Sequence, residues 1–119
     1  MRKFFENYRS FFKLPIQNKN VVTGWLAFPL VIKKNSNFSR NDLQIYLEKK
    51  GIQTRAIFTG NILRQPIMKN RYYKKHRKAS IVSDDVMKNG ILIGCHYDLR
   101  KKDLYRITNT FKKLLSRHK

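Results

Sequence analysis

Residues 39–51 begin Ser39-Arg40-Asn41-Asp42-Leu43 and end Lys49-Lys50-Gly51. The Ser39 hydroxyl can accept a hydrogen bond from the Asp42 amide, and an acidic residue in the first turn suits the positive end of a helix dipole. The two lysines suit the negative end, and the glycine supplies a left-handed cap. The segment therefore predicts a helix with both boundaries fixed. Its apolar face is Leu43, Tyr46 and Leu47.

Three apolar runs outside this helix predict strands. Residues 25–32 are apolar on both alternating faces, which favours a strand covered on both sides, and Pro29 favours a sheet edge or a bulge. Residues 53–58 alternate polar and apolar, which predicts a half-buried strand closed by Thr59-Gly60. A turn at Asn89-Gly90 leads into residues 91–95, which predict a third, buried strand.

Further helices are expected near both ends of the chain. An aromatic stripe at helical spacing predicts a first helix that Pro15 ends, and docking on protein is favoured over docking on a membrane surface. The stripe consists of Phe4, Phe5, Tyr8, Phe11 and Phe12. Residues 61–66 predict a loop. Ser83-Asp84-Asp85 predicts the cap of a short helix through Lys88, and Asp98 that of a last helix. The last helix has the apolar face Leu104, Ile107, Phe111, Leu114 and Leu115.

The length, composition and element order predict one α/β domain. The chain has 119 residues, of which 41% are hydrophobic and 13% aromatic, and this argues against disorder. Helices alternate with strands, so we expect a sheet of about three strands with helices packed on it.

The charge is strongly unbalanced. Lys and Arg number 27 against 7 Asp and Glu, which gives a formal net charge of +20. This predicts non-specific attraction of polyanions, with nucleic-acid binding as one function class. The basic residues are spread along the chain, and the densest run, residues 71–78, is interpreted as a solvated loop rather than a nucleic-acid site.

Several site classes are excluded or disfavoured. Cys95 is the single cysteine, which excludes an internal disulfide and metal sites of paired cysteines, and its apolar surroundings favour a buried thiol. The three histidines lie in separate contexts, so no metal is predicted. No apolar stretch is long enough to span a membrane, and residues 1–9 lack a signal-type apolar run. A cytoplasmic chain without a membrane partner is the expectation.

Polar side chains are concentrated after the second predicted strand. Arg55, Thr59, Asn61, Arg64 and Gln65 lie within eleven residues. Guanidinium groups suit phosphate or carboxylate, and amides suit hydroxyl-rich ligands such as sugars. The alternative, given equal weight, is that these residues only satisfy loop backbone groups.

These same residues carry a resemblance to a known family. Residues 38–43, 51–55 and 59–66 resemble the C-terminal region of the DegT/DnrJ/StrS family of pyridoxal-phosphate (PLP) sugar enzymes. Residues 25–30, 86–90 and 94–96 agree, and the similarity extends roughly from Arg2 to Leu115. Sugar aminotransferases usually place Pro and an aromatic directly after the Thr-Arg pair. Here Ala56-Ile57-Phe58 follows, which favours the CDP-4-keto-6-deoxyglucose 3-dehydrase branch of lipopolysaccharide biosynthesis.

The resemblance implies the small C-terminal domain of a fold-type-I PLP enzyme. Residues 1–20 would then be a remnant of the interdomain helix and linker, and residues 21–119 the small α/β domain. Met1 falls inside the joining helix, which implies a truncated or split reading frame without the large PLP-binding domain. Two departures are Asp98-Leu99-Arg100, where relatives usually show Gly-Leu-Thr, and the basic residues 71–78.

The chemistry that the resemblance implies belongs mainly to the large domain. PLP or its pyridoxamine form (PMP), a catalytic histidine and, in the dehydrase branch, a 2Fe-2S cluster would all lie there. No catalytic residue and no bound cofactor are therefore expected in this chain alone.

The resemblance also implies a binding role for the loop after the second predicted strand. It assigns nucleotide-sugar contact to Arg55, Asn61, Arg64 and Gln65, with His96 as a weaker member. The implied partners are a nucleotide sugar, a separately encoded large domain and a second copy of this chain.

Three function classes follow. The first is a half-enzyme that is inactive alone, from either the dehydrase branch or the aminotransferases; the second is a retained binding module; the third is a basic nucleic-acid binder.

Overall fold

A mixed α/β architecture is seen in the computed structural model, which describes residues 1–58, 60–74 and 77–118, excluding the side chains of residues 77–80. The elements in chain order are α1 (Arg2–Glu6), β1 (Phe12–Lys13), β2 (Ala27–Ile32), α2 (Arg40–Lys49), β3 (Thr54–Ala56), α3 (Arg77–Asn89), β4 (Gly90–Gly94) and α4 (Lys101–Leu115). Two short 3₁₀ turns, Ile62–Arg64 and Pro66–Met68, lie between β3 and α3. The predicted fold class is confirmed.

Helix α2 has the boundaries that its sequence predicts. The Asp42 amide donates to Ser39 Oγ at 3.2 Å, and the Ser39 amide donates to Asp42 Oδ2 at 2.8 Å, which together form a capping box. After the last turn, Gly51 has a φ of +69°, a left-handed conformation that an L side chain rarely adopts. Local capping chemistry therefore fixes both ends of this helix.

The sheet is antiparallel throughout, with the strand order β1-β2-β4-β3. In its register, Phe28 lies opposite Ile93 and Leu30 opposite Ile91. These four side chains are buried, and so share one face of the sheet with the apolar sides of α2 and α4. The intervening residues of β2 are only half-buried, so the prediction of a strand covered on both sides is wrong.

Pro29 lies where one neighbouring strand is missing. Strand β2 is internal in the sheet, but β1 pairs only with Val31 and Ile32. Pro29 therefore has β4 on one side and no strand on the other among the described residues. Because proline has no amide hydrogen for a ladder, this local edge is the position that the sequence favoured.

The N-terminal aromatic stripe is part of the core but does not form one helix. Helix α1 ends at Glu6, a turn follows, and Phe12 lies in β1 opposite Ile32. Phe5, Phe11 and Phe12 are buried in the same cluster as the sheet residues. Pairing with β2 changes the backbone from helical to extended, which residue spacing alone does not reveal.

Two predicted caps are wrong. Ser83-Asp84-Asp85 lies inside α3, because both carboxylates make tertiary contacts: Asp84 with Arg64, and Asp85 with Lys13. Helix α4 begins at Lys101 rather than after Asp98. The Asp103 carboxylate accepts from the Arg100 amide at 3.0 Å and supplies the cap from within the helix.

Two smaller differences concern burial, and a third concerns the length of the basic loop. In β3 the polar Thr54 is buried and Ala56 is exposed, because the Thr54 hydroxyl donates to Glu48 Oε1 on α2 at 2.9 Å. Cys95 is only partly buried, against the prediction of a buried thiol. The predicted basic loop ends early, since α3 includes residues 77–78, whereas residues 71–74 are exposed and irregular. Thr59, Lys75 and His76 lie outside the described residues.

The described part of the chain lacks both a membrane-spanning helix and a cluster of metal-binding side chains. It contains no helix long and apolar enough to cross a bilayer. It also contains no group of three or more His, Cys, Asp or Glu side chains placed to hold a metal ion.

The Lys13–Asp85 ion pair joins β1 to α3, and its effect should depend on pH. Hydrogen bonds from Lys13 (Nζ–Oδ2 2.7 Å) and Asn89 hold the pKa of Asp85 below its ordinary value. A lowered folded-state pKa stabilises the protein above the unfolded value, near 3.9 for Asp, and this contribution disappears as the pH falls through the folded pKa. Asp85→Asn should therefore reduce the free energy of unfolding at pH 7 by about 1 kcal/mol or less.

Urea unfolding followed by circular dichroism between pH 7 and the acid range measures this effect. Asp98→Asn is the matched control, because it makes the same charge change at an exposed carboxylate. The difference between Asp85→Asn and the parent should shrink below about pH 4. A difference that is constant with pH, or equal for both variants, would contradict the assignment.

Candidate functional site

A cleft of about 420 Å³ lies at the end of the sheet where β3, β4 and α4 meet. The apolar side chains that form its floor include Leu92 and Leu99, and Leu26 lies at its edge. Its polar lining side chains are Gln53, Arg55, His96, Asp103 and Arg106. We call it the Arg55 cleft. Two guanidinium groups beside an apolar floor suit a ligand that combines an anionic group with a flat apolar part.

One of the two arginines is held by the end of α2. Arg106 Nη2 donates to the Lys50 carbonyl at 2.6 Å, where the helix leaves carbonyls without intrahelical partners. Gly51 provides the space, since a Cβ at this position would collide with the Arg106 guanidinium. The left-handed turn after α2 therefore also positions one wall of the cleft.

The other arginine projects from β3. Arg55 lies opposite Leu92 in the β3–β4 register and is exposed at the cleft. His96 follows directly after β4 and is also exposed. Because β3 and β4 are neighbours, two residues 41 positions apart in the sequence line the same cleft.

Asn61 and Arg64 instead converge on Asp84 of α3. Asn61 is buried, its Nδ2 donates to Asp84 Oδ1 at 2.9 Å, and its Oδ1 accepts from the Leu63 amide at 3.0 Å. Arg64 donates from Nε to Oδ1 at 3.0 Å and from Nη2 to Oδ2 at 2.6 Å. This bidentate pair raises the pKa of Arg64. These bonds attach the loop after β3 to α3.

The structure thus divides the predicted site residues. Arg55 and His96 line the cleft, Asn61 and Arg64 bind Asp84, and the half-buried Gln65 precedes the second 3₁₀ turn. The sequence interpretation missed the cleft residues Gln53, Asp103 and Arg106. For the last two, the signal available was their i, i+3 spacing on one face of α4.

The family of the chain is shown by its similarity to other proteins. Residues 1–112 match the model of the DegT/DnrJ/EryC1/StrS aminotransferase family. The chain belongs to this family. The predicted resemblance is confirmed, and it extends through the core and the Arg55 cleft.

Two curated relatives are named for sugar biosynthesis. The lipopolysaccharide biosynthesis protein RfbH of Salmonella typhimurium is 26% identical over 111 residues, 93% of this chain and 25% of that protein. The GDP-4-keto-6-deoxy-D-mannose 3-dehydratase of Escherichia coli O55:H7 is 30% identical over 94 residues, 78% of this chain and 24% of the relative. The chain spans about a quarter of the length of these relatives.

Two crystal structures of GDP-4-keto-6-deoxymannose-3-dehydratase share the fold. One is the E. coli enzyme with bound hydrated PLP, and the other is a mutant of ColD with bound GDP-perosamine. Each superposes with a TM-score of 0.74 at 24% identity, over 92% of this chain and 28% of the other. The fold is therefore that of a part of these enzymes.

The cofactor of such enzymes does not fit the Arg55 cleft. PLP enzymes hold the cofactor through a lysine Schiff base and an acidic or basic partner of the ring nitrogen. No lysine is among the described residues that line the cleft, and its carboxylate, Asp103, accepts from the Arg100 amide. Arg55 and Arg106 could bind a phosphate, but the described lining offers no amine for the Schiff base.

The two groups of site residues should differ in their effect on stability. Asn61→Ala removes a buried side chain that bonds Asp84 and the Leu63 amide, so we expect a loss of about 1–3 kcal/mol in the free energy of unfolding. Arg55→Ala, at an exposed position, should change it by less than about 0.5 kcal/mol. Urea unfolding of both variants measures this. Equal losses of unfolding free energy in the two variants would contradict the assignment of Asn61 to the structural contact with Asp84 and of Arg55 to the open cleft.

Proposed function

We propose that this chain forms the small domain of a PLP-dependent nucleotide-sugar enzyme of the 3-dehydratase type, acting in deoxysugar or lipopolysaccharide biosynthesis. The observation that carries the proposal is the Arg55 cleft in a chain that matches the family over residues 1–112. The name of the E. coli relative favours the dehydratase branch over the aminotransferases, and that of RfbH favours lipopolysaccharide biosynthesis. The solved dehydratases have the same fold here.

The proposed role of the cleft is to bind the nucleotide part of the substrate. Arg55 would donate to a phosphate oxygen, while the apolar side chain of Leu92 would support the base or the sugar. His96 and Gln53 add polar groups at the rim. Arg64 lies outside the Arg55 cleft, and it would act as a second cationic contact on the loop after β3, where its bidentate pair with Asp84 fixes it.

The cofactor and its chemistry would come from a large domain. PLP acts as an electron sink for carbanions when bound. The chain itself would contribute substrate contacts and help exclude water when the two domains close. It would be inactive without a large domain.

Exposed apolar residues support such a domain contact. Ile16 is 92% exposed, Val22 fully exposed, and Leu26 is 87% exposed at the edge of the cleft. These residues lie in the segment between β1 and β2, which buries little apolar surface of its own. Exposed apolar surface beside a cleft is typical of a docking face.

The proposal predicts that the 119-residue chain alone binds no PLP. The described residues of the cleft offer no anchoring lysine, and reversible Schiff bases with surface lysines should not survive gel filtration. The chain is equilibrated with PLP, filtered, and its visible absorbance recorded. One cofactor retained per chain would contradict the proposal that the cofactor site belongs to a large domain.

The second prediction concerns nucleotide-sugar recognition by Arg55 and Arg64. Removing one charge-assisted hydrogen bond costs about 1.5–3 kcal/mol, so Arg55→Ala and Arg64→Ala should each weaken the binding of CDP-glucose roughly 10- to 150-fold. Titrations followed by amide chemical shifts detect weak binding and locate it. Shift changes should concentrate at Gln53, Leu92 and His96.

Lys112→Ala is the matched control for these titrations, because Lys112 is exposed on α4 outside the Arg55 cleft. It removes the same charge and should leave the dissociation constant unchanged within about twofold, since an exposed charge outside the site contributes little. Equal losses for all three variants would mean that only bulk charge matters. The assignment of the cleft would then be wrong.

A further inference from the structure

One segment of the chain is basic and free of acidic residues. Between Glu48 and Asp84 there are ten Lys and Arg residues and no Asp or Glu. Neither the core nor the Arg55 cleft requires more than a few of them. Such a segment attracts polyanions, whose condensed counterions binding would release.

Aromatic side chains lie exposed among these cations. Tyr72 is 99% exposed and Tyr73 is 38% exposed. Their charged neighbours in sequence, Lys69, Arg71 and Lys74, are exposed as well, and no ion pair joins any of these three to a carboxylate of the described chain. We call these five residues the Tyr72 patch.

The patch adjoins a guanidinium that is already fixed. The Tyr73 phenol lies near enough to Arg64 to contribute to the raised pKa of that arginine, although Asp84 is the main cause. Arg64 is itself anchored to α3 by its pair with Asp84. Tyr73 therefore lies on the side of the patch that faces a fixed guanidinium.

We propose that the Tyr72 patch binds single-stranded nucleic acid. Phosphates would contact Lys69, Arg71 and Lys74, while unpaired bases stack on the two tyrosine rings. Two adjacent rings flanked by cations, with no carboxylate among them, can take bases while the flanking cations contact the phosphates of a single strand. Stacking tolerates every base, so the binding should show little sequence preference.

The geometry favours a single strand over the alternatives. Duplex recognition inserts a helix or a two-stranded ribbon into a groove, whereas residues 71–74 form neither helix nor strand. An interfacial membrane helix requires a continuous apolar face, which this segment also lacks. The proposal does not rest on the nucleotide-sugar function, because Arg55 and the cleft are not part of the patch.

Fluorescence anisotropy with labelled oligouridylate and oligothymidylate of about twelve nucleotides tests the stacking step. Replacing both rings, Tyr72→Ala with Tyr73→Ala, should weaken binding by about tenfold or more. The control replaces Tyr97 and Tyr105, which are 95% and 70% exposed outside the patch, and should change affinity by less than about twofold. Using both oligonucleotides shows whether the 2′-hydroxyl contributes. Equal losses for the two tyrosine pairs would overturn the proposal.

A second pair of double variants separates the patch from bulk charge. Arg71→Ala with Lys74→Ala and Lys112→Ala with Lys113→Ala each remove two positive charges from exposed positions. The first should reduce the slope of log affinity against log salt by about 1.4, and the second should leave it nearly unchanged. Equal changes in slope would overturn the proposal.

Vesicles containing phosphatidylserine provide the last arm. The proposal would be overturned if Tyr72→Ala with Tyr73→Ala abolished vesicle binding but left the affinity for both oligonucleotides unchanged. The patch would then be assigned to membranes. Circular dichroism of every variant confirms that the fold is retained, as expected for exposed positions.

Discussion

Phe5 lies where the N-terminal segment, the sheet and the last helix meet. Its ring stacks on Phe28 of β2 at 5.5 Å and contacts Phe111 of α4 edge-on at 4.9 Å and Phe12 of β1 edge-on at 5.8 Å. Such ring pairs add to the free energy of burial, and Phe5 is fully buried. This aromatic contact holds α4 against the sheet, and the Arg55 cleft exists only because α4 lies there.

The carboxylates are used mainly to hold the fold together, and this leaves the surface basic. Glu6 accepts from Arg2 and Arg9, Asp85 joins β1 to α3, and Asp84 joins the loop after β3 to the same helix. With a net charge of +20, repulsion between cations opposes the compact state. Because Asp84 and Asp85 form ion pairs with residues distant in sequence, they offset part of this repulsion where it would open the structure.

The same scarcity of acids gives the domain two distinct basic surfaces. In the Arg55 cleft, cations lie beside an apolar floor, so the site suits a small anionic ligand with a flat part. At the Tyr72 patch they lie beside exposed rings on an irregular segment, so that surface suits an extended polyanion. Arg64 lies in the loop after β3, and its pair with Asp84 fixes that loop relative to α3.

Features that depend on residues close together in the sequence could be predicted from the sequence alone. The capping box at Ser39, the left-handed Gly51 and the apolar face of α4 were predictable because hydrogen bonds and periodicity act within a few residues. The family resemblance followed from short motifs that the chain carries intact. Two features could be seen only in the folded structure. Asp84 binds Arg64 rather than capping a helix, and His96 and Arg55 line the same cleft as Arg106. These contacts join residues 10 to 51 positions apart. Sheet register and helix packing bring the residues together, and neither leaves a local pattern in the sequence.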